Sequence, residues 1–179
     1  GGSGKPLVGY SVVAPWLRKG GSVIFLLTST GKDFADEVLK KIYNLDITAY
    51  SKQLSFIDFN PDLPPNVEGI SQSSANTITA NLVNPAVFDE ALKQAGSRFQ
   101  DEKGPGTLVF GSALNLFLFS RTYGESILKH LQELIRDDKS RTYLFTVSTS
   151  AYKEKIRLLE EVADHLMFTR NEEPMKLFL

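Results

Sequence analysis

The 179-residue chain has no cysteine, and it has only two histidines and one tryptophan. Without cysteine the chain forms no disulfide, no thiolate metal site and no cysteine nucleophile. The two histidines, His130 and His165, are isolated in the sequence and predict no metal centre. The absence of cysteine fits a reducing compartment, so we expect a cytoplasmic protein that holds no metal.

An excess of one charge is also missing, because 20 basic and 21 acidic residues give a formal net charge of −1. A nucleic-acid-binding domain usually carries a basic stripe, and none is visible here. No apolar run approaches the ~20 residues of a membrane span. The longest runs, Val23–Leu27 and Leu114–Phe119, are soon followed by polar residues. We therefore expect neither a membrane nor nucleic acid as a partner.

Strand-like apolar runs alternate with helical patterns along the chain, and the length suits one domain over residues 1–179. Such alternation predicts a mostly parallel sheet with helices on both faces, in a three-layer α/β/α fold. We predict strands at Ser22–Thr28, Leu54–Phe59, Ile78–Leu82, Thr107–Phe110 and Thr142–Ser148, and a C-terminal antiparallel hairpin from His165–Thr169 and Met175–Leu179. We predict helices over 7–19, 34–43 and 85–99, after Thr122, and from Tyr152 to Ala163.

Capping residues mark three of the predicted helix starts. Asp33 precedes one helix, Asn84 with Pro85 begins another, and Thr122-x-x-Glu125 matches a capping box. Residues 60–84 contain several prolines and a Ser/Asn-rich stretch, which predicts a long loop. In a parallel sheet, ligands bind beyond the carboxyl ends of the strands. We place those ends at 28–32, 59–62, 111–115 and 148–151.

Several segments carry a more specific pattern. Arg18-Lys19-Gly20-Gly21 precedes the apolar run SVIFLLT, and TLVFGSALNL follows later in the chain. The chain continues with ESILKHLQELIRDDKSRTYLFTVSTS and with LLEEVADHLMF, which contains Ala163-Asp164. From Lys5 onward, this order of elements resembles the KaiC-like branch of the RecA superfamily. The resemblance implies a RecA-like P-loop NTPase fold.

The resemblance also shows which catalytic groups are missing. A P-loop needs a hydroxyl residue for Mg²⁺ after its lysine, and the only candidate, Gly1-Gly2-Ser3-Gly4-Lys5-Pro6, has Pro6 there. Gly111 stands where the family has its Mg²⁺-binding Walker-B aspartate. Ser29, Thr30 and Gly31 follow SVIFLLT, where the family has a catalytic glutamate. We therefore expect a pseudo-ATPase, not an enzyme.

The resemblance still allows a vestigial nucleotide-binding site. Gly1–Gly4 fits either a tag or linker remnant or a damaged P-loop. A nucleotide bound without hydrolysis would use residues at the strand ends and the start of the first helix. These candidates are Gly4, Lys5, Ser29, Thr30 and Ser112. ATP is the only cofactor that the resemblance allows, and we expect none to be required.

An aromatic segment suggests a partner surface. LNLFLFSRTY places Phe117, Phe119, Arg121 and Tyr123 after a predicted strand end. Trp16 in the first predicted helix is a further candidate for this partner surface. Aromatic and arginine side chains are enriched at protein interfaces, although burial in the core is the alternative for this segment.

Three functions remain open from the sequence. The first is a non-catalytic RecA/KaiC-like domain that binds a protein partner, or itself as an oligomer, in a regulatory or signalling assembly. Relatives without P-loops act as such subunits in the Elongator accessory ring. The second is a module that binds a nucleotide without efficient hydrolysis. The third is a DNA-associated recombinase paralogue, which the balanced charge disfavours.

Overall fold

The computed structural model describes residues 5–28, 31–99, 104–112, 114, 120–148 and 153–168. The strands are β1 (Ser22–Leu27), β2 (Leu54–Phe59), β3 (Ser71–Ser74), β4 (Thr77–Ala80), β5 (Thr107–Gly111) and β6 (Arg141–Phe145). The helices within these residues are α1 (Lys5–Arg18), α2 (Lys32–Tyr43), α3 (Pro85–Ser97), α4 (Gly124–Asp137) and α5 (Lys153–Glu160), with 3-10 turns at Ile47–Gln53 and Val67–Gly69.

The six strands form one sheet in the order β3-β4-β2-β1-β5-β6. Strand β1 pairs in parallel with β2 and with β5, and β5 pairs in parallel with β6. Only β3 and β4 are antiparallel. Every residue of β1 is buried, as expected for a strand with neighbours on both edges and helices on both faces. The predicted α/β fold with a mostly parallel sheet is confirmed.

Alternate residues of β1 enter two separate hydrophobic clusters. Val23, Phe25 and Leu27 pack with α1 and α2 on one face, whereas Ile24 and Leu26 pack with α3 and α4 on the other. This alternation follows from the two-residue period of a strand. The run is continuously apolar because both faces of this strand are covered by helices.

Aromatic rings fill the cluster beneath α1. The ring of Phe25 stacks on Phe56 at 5.2 Å between centroids and meets Phe110 edge-on at 5.7 Å. Tyr10 of α1 covers Phe110 at 5.2 Å, also edge-on. Such pairs add about 0.5–1.5 kcal/mol each beyond their burial, so they fix how α1 sits on the sheet.

Trp16 joins α1 to the amino ends of two strands. Its indole N–H donates to the carbonyls of Ser22 (3.1 Å) and Gly106 (3.0 Å). The helix end lies so close that a Cβ on Gly21 would sit 2.4 Å from the Trp16 ring. Gln53 donates to the Gly21 carbonyl at 2.8 Å. This end of the sheet is closed by hydrogen bonds between side chains and main chain.

The proline-rich region after β2 is ordered by two asparagines. Asn81, which is buried, donates to the carbonyls of Pro61 (3.3 Å) and Leu63 (3.0 Å). Asn84 donates to the Pro65 carbonyl at 2.8 Å. The two asparagine side chains thus donate to main-chain carbonyls that have no partner in a helix or strand. They order a segment that the sequence predicts as a long loop.

Two of the three predicted caps are wrong. Asn84 does accept from the backbone N–H of Ala86 at 3.0 Å, with Pro85 in the first turn. Helix α2, however, begins at Lys32, so Asp33 already lies within its first turn and Gly31 is the cap. Helix α4 begins after Tyr123, with no side-chain cap, so the predicted Thr122 capping box is not formed.

The predicted C-terminal hairpin is wrong over 165–168, where the backbone is neither helix nor strand. Thr169 and Met175–Leu179 lie outside the described residues. Leu166, Met167 and Phe168 are 53%, 75% and 67% exposed, so this apolar run lacks the half-buried alternation of a strand. The antiparallel pair is instead β3–β4. Strand β4 overlaps the strand predicted at Ile78–Leu82, whereas β3 lies in the segment predicted as a loop.

Two glycines in helices provide a matched test of packing. A Cβ on Gly9 of α1 would lie 2.1 Å from Phe110 Cε2, whereas a Cβ on Gly96 of α3 would lie 3.9 Å from Ile24. We predict that Gly9→Ala destabilises the fold by about 1–3 kcal/mol, because the buried Phe110 ring has no room to move. Gly96→Ala should stabilise it by about 0.5–1 kcal/mol, because alanine favours helices.

Urea unfolding followed by circular dichroism measures both changes under the same conditions. Opposite signs for the two variants are the expected result. A Gly9→Ala variant as stable as Gly96→Ala would contradict the close contact between α1 and β5.

Candidate functional site

The carboxyl ends of the parallel strands meet at one edge of the sheet, called here the carboxyl edge. The Thr28 hydroxyl, after β1, donates to the carbonyl of Ser112, after β5. The N–H of Leu114 donates to the Thr146 carbonyl at 3.2 Å, and the N–H of Thr146 donates to the Gly111 carbonyl at 2.9 Å. These bonds continue the pairing of the strands past their ends and leave less open backbone for a ligand.

The position of Gly111 is enclosed by apolar side chains. A Cβ there would lie 3.0 Å from Leu114 Cδ2, 3.2 Å from Leu26 Cδ1 and 3.3 Å from Phe145 Cδ1. Leu114 is fully buried. A carboxylate at this position would lose its hydration without gaining a polar partner among these neighbours. The structure thus surrounds the expected Walker-B position with hydrocarbon.

A carboxylate that sequence reasoning missed lies one strand away. Asp58 of β2 pairs in register with Leu27 of β1, near the point where the resemblance expects a catalytic glutamate. Partial desolvation raises the pKa of Asp58, and it makes no hydrogen bond or ion pair within the described part of the chain. The sequence does show Asp58 as a charged residue near the end of an apolar strand. It does not show that Asp58 lies beside Leu27, because that depends on how the strands pair.

Lys32 is a cation near this edge that sequence reasoning also missed. Its ammonium group is already engaged by neighbouring side chains. Its ammonium donates to Asn76 Oδ1 at 3.1 Å and lies 4.9 Å from the centre of the Phe56 ring. A phosphate-binding lysine needs its charge directed at the ligand. Lys32 instead joins the start of α2 to the turn between β3 and β4.

The N-terminus of α1 lies at the carboxyl edge. Trp16, near the end of the helix, contacts the start of β1, whereas Tyr10 contacts Phe34 at the start of α2, with ring centroids 6.2 Å apart. Helix N-termini attract anions through their free N–H groups. The backbone of Lys5 begins this helix, while the Lys5 side chain, Gly4, Ser29 and Thr30 lie outside the described residues.

The predicted partner surface is divided between two edges of the sheet. Trp16 is half-buried at the amino ends of β1 and β5, with its N–H hydrogen-bonded. Arg121 is exposed and Tyr123 half-buried just before α4, which begins at the opposite edge. Phe117 and Phe119 lie outside the described residues. The structure therefore does not bring Trp16 together with Arg121 and Tyr123.

His130 links two helices on the other face of the sheet. Its Nε2 lies 2.5 Å from Asp89 Oδ1 of α3, and its Nδ1 lies 3.9 Å from Glu133 of α4. Within the described part of the chain, no group of three or more histidine, aspartate or glutamate side chains is arranged to hold a metal ion. This contact joins α3 to α4.

None of the helices in the described residues has the length and apolar character needed to span a bilayer. No protein-family model matches the chain, and no curated protein shows a significant match to it.

The enclosed position of Gly111 gives a test. We predict that Gly111→Asp destabilises the fold by about 3 kcal/mol or more, because it buries a carboxylate among leucine and phenylalanine side chains. Gly111→Ala should cost about 1–2 kcal/mol through steric overlap alone. Ser112→Asp, which adds the same charge at the next, half-exposed position, should change stability by less than about 1 kcal/mol.

Denaturant unfolding of the three variants measures this order. If Gly111→Asp proved as stable as Ser112→Asp, the apolar surroundings of position 111 would be wrong, and a carboxylate would be compatible with the site.

Proposed function

We propose that this chain is a non-catalytic RecA/KaiC-like domain that acts by binding a protein partner in a regulatory or signalling assembly. The observation that carries the proposal is the apolar enclosure of Gly111. At this position the resemblance requires a carboxylate for Mg²⁺, but the three atoms nearest to a Cβ there are apolar, at 3.0–3.3 Å, and would have to move to admit one.

The sheet supports the RecA-like part of the proposal. The segments that carry the resemblance, SVIFLL, TLVFG and RTYLF, form three neighbouring parallel strands, β1, β5 and β6. Helix α1 precedes the first of them, and α4 connects the other two. This arrangement is the one expected if the resemblance in chain order extends to the fold.

The exposed run Leu166–Phe168 supports protein binding. Its three apolar side chains are 53%, 75% and 67% exposed, and they belong to the LLEEVADHLMF segment that carries part of the resemblance. Contiguous exposed apolar residues of this kind mark interaction surfaces. A partner that covers them would gain the free energy of removing this area from water.

A charge placed in this run tests the proposal. We predict that Met167→Asp/Phe168→Asp weakens association, because a buried interface does not accommodate unpaired carboxylates. Ile42→Asp is the matched control, since Ile42 is 56% exposed on α2 in another part of the fold.

Two measurements apply to each variant: sedimentation velocity over a range of concentrations for self-association, and co-purification from the native source for another partner. Association that falls in the double variant and persists in Ile42→Asp is the expected result. Association unchanged in both variants would contradict a role for this run.

The position of α1 favours a second function, nucleotide binding without hydrolysis. Its N-terminus lies at the carboxyl edge, where backbone N–H groups attract phosphate. Titration with a fluorescent ATP analogue, with and without Mg²⁺, distinguishes the two functions. Saturable binding in the micromolar range would favour the nucleotide-binding module, and its absence would favour the protein-binding domain.

A further inference from the structure

A polar groove lies away from the carboxyl edge. It occupies about 240 Å³ between the turn that joins β3 to β4 and the last turn of α3. Ile78 and Ala95, both buried, form part of its lining. The side chains that supply its polar groups are Ser55, Gln72, Asn76, Thr77, Gln94, Ser97 and Arg98.

Arg98 brings a positive charge that no acidic side chain of the described residues pairs with. Its NH1 group donates to the carbonyls of Ser51 (3.0 Å) and Leu54, which are neutral acceptors. It forms no ion pair within the described residues, and the groove lining includes no aspartate or glutamate. Carbonyl oxygens hold the guanidinium in place, but its full charge and remaining N–H groups are available for a ligand.

Asn76 presents a donor to the groove. Its Oδ1 accepts from Lys32 Nζ (3.1 Å), Ser74 Oγ (3.2 Å) and Thr77 Oγ1 (3.1 Å). Because an ammonium group only donates, the contact with Lys32 fixes which end of the carboxamide is oxygen. The oxygen of Asn76 is therefore occupied, and its NH₂ group is the part left for further hydrogen bonds.

The acceptors at the end of α3 are also occupied. Ser55, which is buried, donates through its hydroxyl to the Ala95 carbonyl at 2.8 Å. Ser97 donates in the same way to the Gln94 carbonyl at 2.7 Å. The helix carbonyls that would repel an anion thus have donors already. The amides of Gln72 and Gln94 donate to the Ser74 carbonyl (3.1 Å) and to Glu90 (3.0 Å). The groove is therefore left with one fixed positive charge and with the donors of Arg98 and Asn76.

We propose that this groove binds a carboxylate, with Arg98 as its anchor and the amide of Asn76 as a second donor. A carboxylate matches both observations, because it offers only acceptors and carries one negative charge. A phosphate group carries about −1.5 to −2 at neutral pH, which exceeds the one charge available. The volume admits a group of the size of a blocked amino acid, so the carboxylate belongs to a small molecule or to the end of a peptide.

An NMR titration of the ¹⁵N-labelled chain tests the proposal with two matched probes. N-acetylglycine carries a carboxylate, and N-acetylglycinamide replaces it with a neutral amide of the same shape. We expect N-acetylglycine to shift the Arg98 Nε–H and Asn76 side-chain resonances saturably, and the amide to bind about tenfold more weakly or not at all. Equal effects of the two probes, or none, would overturn the proposal.

Two further probes separate the sources of the carboxylate. Acetate binding as tightly as N-acetylglycine indicates a small-molecule carboxylate, and tighter binding of N-acetylglycine indicates a peptide end. Both results support the proposal. Tighter binding of inorganic phosphate than of either carboxylate would contradict it.

Variants locate the binding. Gln72→Glu places a carboxylate in the groove lining, where it competes for Arg98, and should weaken N-acetylglycine about tenfold or more. Gln132→Glu on α4 is the matched control and should leave binding unchanged. Arg98→Gln should abolish binding, and since Arg98 also holds two main-chain carbonyls, its fold is checked by circular dichroism. Binding that survives Gln72→Glu and Arg98→Gln would place the ligand elsewhere.

Discussion

Burial of β1 between two parallel neighbours and two helical layers is the constraint on which the remaining structure depends. A strand enclosed on every side hydrogen-bonds its backbone to β2 and β5, since no water reaches it. The ring of Phe25 then stacks on Phe56 and meets Phe110 edge-on, so that aromatic contacts cross all three strands. Helix α1 approaches them closely enough that Gly9 lies directly against Phe110. Packing around β1 therefore sets the position of α1 and the geometry of both ends of the sheet.

The same packing explains why the position of Gly111 is enclosed by apolar side chains. Strand β5 ends against Leu26 of β1 and Phe145 of β6, and Leu114 closes the remaining space. A carboxylate at this position would oppose the burial that stabilises the sheet. Asp58 provides a carboxylate at this edge, but among the described residues no group of three or more acidic or histidine side chains is arranged to hold a metal ion. Under the proposed RecA-like assignment, the position of the Walker-B carboxylate is part of the core.

The sequence predicted the elements whose signals are local. Buried strands such as β1 and β5 show continuous apolar runs, and Asn84-Pro85 marks a helix start directly. Strand β3 was missed because its four residues, Ser71–Ser74, are all exposed and polar, so no alternation distinguishes them from a loop. The exposed run Leu166–Phe168 was wrongly predicted as part of a strand, because β-like composition does not reveal whether a partner strand exists.

In the candidate site, too, only features with a local sequence signal could be predicted. Gly111 could be singled out from the sequence because the resemblance predicts an aspartate at that one position, but the enclosing Leu114 required the three-dimensional structure. Asp58, Lys32 and Arg98 each depend on strand register or on contacts between distant residues, such as Lys32 with Asn76. No local pattern encodes those contacts. Sequence reasoning therefore could not predict which polar groups the fold brings together.

The proposed function requires above all that the carboxyl edge does not hydrolyse ATP. Phosphate release from γ-labelled ATP, measured at high protein concentration with and without Mg²⁺, tests this claim most directly. We predict release equal to that of buffer, with no change in the Asp58→Asn variant. Release that requires Mg²⁺ and is lost in Asp58→Asn would contradict the account, because it would show that Asp58 serves as the missing carboxylate.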